Sequence, residues 1–146
     1  MRPLLLWLAL CCAGNALAEI VVRDDTGREV RLAAPAQRIV SLAPHITETL
    51  FAAGAGAKLV GAVEFSDYPE AARRLPRIGR YDRFDLEAIL ALKPDLIIGW
   101  ASGNPAAPVA QLEALGLTLY RSQPNAMEDV AADLERFGRL AGTSKV

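Results

Sequence analysis

The sequence predicts an α/β fold, a single lobe built on a parallel sheet with helices over both faces. Three observations carry that prediction. Helical periodicity alternates with short apolar runs along the chain, the helix-like segments close on Gly54, Pro94 and Gly116, and Leu96-Ile97-Ile98 is apolar at three consecutive positions. A strand apolar on both faces is one covered by helices on either side. Regular alternation of strand and helix argues parallel strands joined by right-handed crossovers.

The first segment has the marks of an export signal. Arg2 gives a short positive start, Leu4 to Cys12 is an apolar run, and Ala16-Leu17-Ala18 has the small-x-small pattern of a cleavage site. Residues 1–18 are therefore read as a signal peptide and the mature chain as periplasmic. Crossing a bilayer takes about 20 apolar residues, and this run breaks at Gly14-Asn15, so a retained membrane helix is the weaker reading. Lipidation at Cys11 or Cys12 is the other alternative, poorly served by the large Leu10 before them. Both cysteines lie in the signal, so the 128 residues that follow hold no disulfide and no cysteine metal site. Removing Arg2 leaves 15 basic against 17 acidic residues, with no long basic run. Nucleic acid is not an expected partner, and the length suits one core.

Next, Glu19 to Leu32 holds two β-prone runs around Asp24-Asp25-Thr26-Gly27, a hairpin read as a lid or edge piece, with Ala33 to Ala36 as connector. Arg38 to Leu42 is the first strand of the main sheet, ended by Pro44. Ile46, Leu50 and Ala53 share one face of a helix that Gly54 closes. Lys58 to Val63 is the second strand and delivers Glu64 to Pro69 into a loop. Glu70 to Leu75 is a short helix, and Arg80 to Phe84 a charged aromatic loop. Leu86, Ile89 and Leu90 form the apolar stripe of the next helix, with Glu87 pointing away and Lys93-Pro94 as its stop. Leu96 to Ile98 is the buried strand, and it presents Trp100 at its carboxyl end, where ligands gather in open parallel sheets. The turn Ala101 to Pro105, a helix from about Ala106 to Ala114, a strand Leu117 to Tyr120, and a helix reaching Leu140 with Val130, Leu134 and Phe137 on one stripe complete the pattern.

Signatures of enzymatic chemistry are missing. Gly54-Ala55-Gly56 follows a helix rather than opening one, so it cannot cradle a pyrophosphate. No Walker sequence, nucleophile elbow or zinc-protease motif occurs, and the only histidine is His45. His45 sits beside a helix N-terminus, which disfavours its cationic form. It is read as capping or lining the loop; a metal role would need Glu48, Glu64 and Asp67 as partners.

Several of these segments together are similar to a known family. Arg38 to Pro44, Thr47-Glu48, Phe51 to Gly54, Val60-Gly61, Ser66-Asp67-Tyr68-Pro69 and Leu92 to Ile98 resemble the periplasmic iron-siderophore/cobalamin binding proteins of ABC importers, over roughly residues 24–140. Ser66 to Pro69 and the turn from Trp100 to Asn104 are most similar to cobalamin-binding members. The resemblance implies a Rossmann-like N-terminal lobe of a two-lobed protein, its lobes joined by one long helix with ligand in the cleft. The chain ends about where that helix would begin. The expectation is thus an N-terminal lobe alone, residues 38–146, preceded by a hairpin and connector at 19–37.

The same resemblance implies site residues. Phe65, Tyr81 and Trp100 match aromatic positions against which the corrin ring packs, with Ser102 and Asn104 as polar contacts, and a wide apolar ring edged with amides suits such walls. Ordinary core packing is the alternative for Phe65 and Trp100. Glu87 matches an acidic residue that docks on the permease, and its alternative is a solvated helix carboxylate. Haem-binding relatives put an axial tyrosine directly after the glycine matched by Gly79, where this chain has Arg80 and then Tyr81. The expected protein is a non-enzymatic, monomeric binding protein that needs no resident cofactor and carries cobalamin to an ABC importer permease. A ferric siderophore held by Arg73, Arg74, Arg80 and Arg83, or haem, is the alternative cargo, and an envelope enzyme or sensor lobe the more distant one.

Overall fold

On two antiparallel strands, β1 (Ile20–Arg23) and β2 (Glu29–Leu32), Val30 and Leu32 alternate with Glu29 and Arg31 and Val22 lies opposite Val30, so one face of the hairpin is apolar and packs on the core. The structure, a computed structural model, describes residues 18–144, and the export signal read at 1–18 lies, apart from Ala18, outside them. The hairpin tip is held by Asp24. Its Oδ1 accepts from the Thr26 N–H at 2.9 Å, the Thr26 hydroxyl at 2.7 Å and the Arg28 N–H at 3.0 Å.

The main sheet has four parallel strands: β3 (Ile39–Ser41), β4 (Leu59–Ala62), and after a small ribbon of β5 (Gly79–Arg80) and β6 (Arg83–Phe84), β7 (Leu96–Trp100) and β8 (Leu119–Ser122). Their spatial order is β4-β3-β7-β8. Successive side chains alternate between two apolar clusters. Ile39, Leu96, Ile98 and Tyr120 meet α1 (Pro44–Ala52), α4 (Met127–Ala141) and the hairpin on one face. Val40, Ile97 and Leu119 meet α2 (Leu86–Ala91) and α3 (Ala106–Ala114) on the other. Each such buried aliphatic side chain contributes about 1.5–3 kcal/mol.

The sequence expectation of a parallel α/β lobe therefore holds, and the differences are local. Pro44 is the first residue of α1 rather than a strand stop, because its fixed φ suits a helix start. Glu70 to Arg74 is a 3₁₀ turn, and the loop expected at Arg80 to Phe84 is the tight ribbon. Leu90 is 38% exposed. Leu92, just past the six-residue α2, turns inward instead and lies against Gly61, where an added Cβ would come within 2.6 Å of it.

The last strand runs two residues later than the hydrophobic pattern indicated. Its polar half, Arg121-Ser122, is accommodated because Arg121 pairs with Glu113 at 2.7 Å and the Ser122 hydroxyl donates to Asp133 at 2.6 Å. For the same reason the inner face of α4 is Asp133, Phe137, Leu140 and Ala141, with Val130 and Leu134 only half-buried. β8 is the free edge of the sheet, and the hairpin tip covers it. Asp24 Oδ2 accepts from the Arg121 N–H at 3.2 Å, the Asp25 N–H donates to the Arg121 carbonyl at 3.1 Å, and Asp25 Oδ2 accepts from the Gln123 N–H at 2.7 Å. Of the two roles considered for the hairpin, the structure supports the edge piece.

Candidate functional site

The strand order fixes where a ligand belongs. From β3 the chain crosses over α1 to β4 on one side, whereas β7, the neighbour of β3 on the other side, leads through α3 to β8. The loops leaving β3 and β7 therefore diverge to opposite faces, and the crevice between them is the usual ligand site of a doubly wound sheet. His45 follows β3 and Trp100 ends β7.

Trp100 is half-buried and central to the crevice. His45 meets it edge to face with ring centroids 5.3 Å apart, and Tyr81, at the tip of the ribbon, lies 5.7 Å from it at an interplanar angle of 48°. The indole rests on its own turn. A Cβ added at Gly103 would come within 1.8 Å of a ring carbon, so only glycine lets the ring lie there. On the His45 side an open cavity of about 620 Å³ is lined by His45, Glu48, Thr49, Trp100 and the start of α4, with Met127 and Val130 on the far wall and Asp133 among the lining residues.

Burial lowers the affinity of His45 for a proton, and its Nε2 is buried without a hydrogen-bond partner. Asp133 is pushed the other way, mainly by burial, although the Tyr120 hydroxyl at 2.7 Å and the Ser122 hydroxyl at 2.6 Å both donate to it. No three of His, Cys, Asp and Glu gather among the described residues into a set that could hold a metal ion. The grouping of His45 with Glu48, Glu64 and Asp67 considered from sequence is thus not assembled.

The other sequence-predicted residues divide. Tyr81 and Trp100 are brought together. Phe65 is 68% exposed on the loop after β4 and makes no ring contact with either among the described residues, so core packing is not its role. Its φ of 66° is in the left-handed region, which a bulky residue enters only under constraint. The constraint is visible: Arg77 donates to the carbonyls of Val63 at 3.1 Å and Ser66 at 3.0 Å, on either side of Phe65. The Thr47 hydroxyl joins those of Ser41 at 2.9 Å and Ser66 at 3.1 Å.

Ser102 is exposed, with its N–H donating to Gln123 Oε1 at 2.9 Å. Asn104, offered from sequence as a polar ligand contact, needs correction. Both hydrogens of its amide are spent on protein carbonyls and its oxygen accepts from the Trp100 N–H, so it braces the site from behind. Glu87 is exposed near the start of α2, which Asp85 caps by accepting from the Glu87 and Ala88 N–H groups. His45, read from sequence as capping or lining its loop, lines the cavity, whereas Thr49, Met127 and Val130 were missed, because their membership depends on which strands are neighbours.

Comparison with known proteins matches residues 39–144 to the periplasmic binding protein family. The chain belongs to that family. It is 44% identical over 114 residues to the vitamin B12-binding protein of Vibrio vulnificus, a match covering 78% of this chain and 42% of the relative. The crystal structure of the periplasmic vitamin B12 binding protein of Vibrio cholerae superposes with a TM-score of 0.71 at 47% identity, covering 73% of this chain and 42% of that one. A periplasmic heme binding protein from Pseudomonas aeruginosa follows at a TM-score of 0.69 and 31% identity, covering 74% of this chain and 39% of that one. The chain thus spans about two fifths of the length of the curated relatives it matches. Among the described residues no helix is long and apolar enough to cross a membrane.

Proposed function

We propose that this chain forms one wall of a cobalamin-binding cleft in a non-enzymatic, periplasmic solute-binding protein that delivers its cargo to an ABC importer permease. The observation that carries the reading is the half-buried Trp100 at the switch point, flanked by His45 and Tyr81. A corrin is a broad, mostly apolar disc edged with amides, and flat aromatic surfaces with few charges suit it. Identity of 44% and 47% to proteins named for vitamin B12 supports this cargo over haem, whose named relatives stand at 31% and 35%.

Local chemistry argues the same way. The place directly after Gly79 is Arg80, whose guanidinium pairs with Asp82 at 3.0 Å, and a guanidinium cannot serve as an axial ligand. The arginines that would attract an anionic ferric chelate are all exposed, and Arg73 is engaged by the Asp67 carbonyl at 3.3 Å. Export through a cleaved signal at 1–18 and docking on the permease through Glu87 belong to the same proposal.

The test is an equilibrium titration of the full-length protein, expressed from its native gene, with cyanocobalamin, haemin and a ferric chelate. Saturable binding of cyanocobalamin that weakens at least tenfold in Trp100→Ala, about 1.4 kcal/mol, is expected. Preference for haemin or the ferric chelate would overturn the reading.

A further inference from the structure

We propose that Asn104 is the positioning residue of the ligand wall: its single amide laces together the two loops that diverge at the switch point and the ribbon tip that carries Tyr81. The inference rests on the reading that this wall binds a corrinoid. Asn104 Oδ1 accepts from the Trp100 N–H at 2.6 Å, and Nδ2 donates to the Leu42 carbonyl at 3.0 Å and the Tyr81 carbonyl at 2.7 Å. Leu42 belongs to the loop after β3, Trp100 to the end of β7, and Tyr81 to the ribbon. One side chain therefore sets the spacing of three segments far apart in sequence.

The bonds divide the labour. The Trp100 turn is closed without the amide, by the Gly103 and Asn104 N–H groups donating to the Trp100 carbonyl at 3.2 and 3.0 Å. The base of the ribbon is fixed to β4 by Glu64 N–H on the Gly79 carbonyl at 2.8 Å and Ile78 N–H on the Ala62 carbonyl at 3.1 Å. Neither set fixes the ribbon tip relative to the indole. Asn104 does, which holds phenol and indole 5.7 Å apart before ligand arrives. A wall ordered in advance avoids the entropy of ordering it on binding. Only an amide fits the pattern, since a carboxylate would place a second acceptor against two carbonyls.

A double-mutant cycle in the full-length protein tests this, with cyanocobalamin as the probe. Asn104→Ala should lose about tenfold in affinity, and no more than about twofold in a Tyr81→Ala background, because coupled residues are non-additive. Asn104→Asp should lose at least as much as Asn104→Ala. A residue that merely supports the fold would give the same factor in both backgrounds, and that result, or an affinity unchanged in Asn104→Ala, overturns the inference. A second readout needs no ligand. Trp100 emission, taken as the difference from Trp100→Phe, should shift to the red in Asn104→Ala and Asn104→Asp, and an unshifted spectrum counts against the proposal. If the wild type fails to bind cyanocobalamin, the functional reading falls while the emission still decides the role of Asn104.

Discussion

His45 and Trp100 meet edge to face, with ring centroids 5.3 Å apart and planes at 86°. The imidazole Nε2 is buried without a partner, and burial holds the group below its ordinary value of 6.5. Glu48 on α1 and Asp133 on α4 line the same cavity, yet neither is hydrogen-bonded to that nitrogen. Neutral imidazole is therefore the form the wall accommodates. The folded-state pKa lies below the unfolded one, so the contribution of His45 to stability is complete above the ordinary imidazole range and is lost as pH falls through it. Urea unfolding between about pH 8 and about pH 5 should show a midpoint that drops on acidification more in the wild type than in His45→Phe. Equal slopes for the two would refute the assignment.

Phe65 sets stability against binding. The residue is 68% exposed and its φ is 66°, so truncation removes little packing, and glycine at this position removes the backbone strain as well. Phe65→Ala should leave the unfolding free energy within about 0.5 kcal/mol of wild type. Phe65→Gly should be the more stable of the two variants by about 1 kcal/mol. Both should bind cyanocobalamin several-fold more weakly. Full affinity in both variants would remove Phe65 from the site.

Glu87 gives a prediction that separates capture from delivery. Its carboxylate is exposed, and the Asp85 cap uses its backbone N–H rather than its side chain. Under the proposed docking of Glu87 on an importer permease, Glu87→Arg should keep cyanocobalamin affinity within about twofold while reducing cobalamin uptake by cells, because a reversed rim charge acts on association with a partner. Unchanged uptake would mean that the carboxylate is only a solvated helix residue.

Most of the fold was legible because it rests on local rules. Three apolar residues in a row at Leu96 to Ile98 mark a strand covered on both sides, and the left-handed Gly54 and the stop at Pro94 mark where helices end. What escaped depends on long-range placement. The strand at Leu119–Ser122 extends into polar residues because Asp133 and Glu113 wait for them on α4 and α3. Leu90 lost its expected place to Leu92, a competition within a helix only six residues long. In the site, Trp100 was visible as an aromatic at a strand end and Tyr81 through the family resemblance, whereas the contact of His45 with Trp100 and Asn104 as a brace emerge only once β3 and β7 are known to be neighbours.

Asp24 offers the sharpest test of how the lobe protects its free edge. It is 4% exposed, and its carboxylate accepts from two N–H groups and a hydroxyl in its own turn and from the Arg121 N–H on β8. Asp24→Ala leaves these part-buried donors without an acceptor, at about 1–3 kcal/mol for each that stays unsatisfied. Water reaches some of them once the side chain is gone, so the net loss should be about 3 kcal/mol, read as a lower urea midpoint with an unchanged slope. Arg28 also bridges the hairpin to the lobe, through Glu113 at 3.0 Å, but its side chain is 58% exposed. Arg28→Ala should therefore cost less than about 1 kcal/mol. Each variant removes a link between the hairpin and the lobe, Asp24 to β8 and Arg28 to α3, and the two differ in how far the side chain that makes the link is buried. If Asp24→Ala proves no more damaging than Arg28→Ala, the β8 edge is held by the apolar face of the hairpin, through Val22 and Val30, and not by the buried carboxylate.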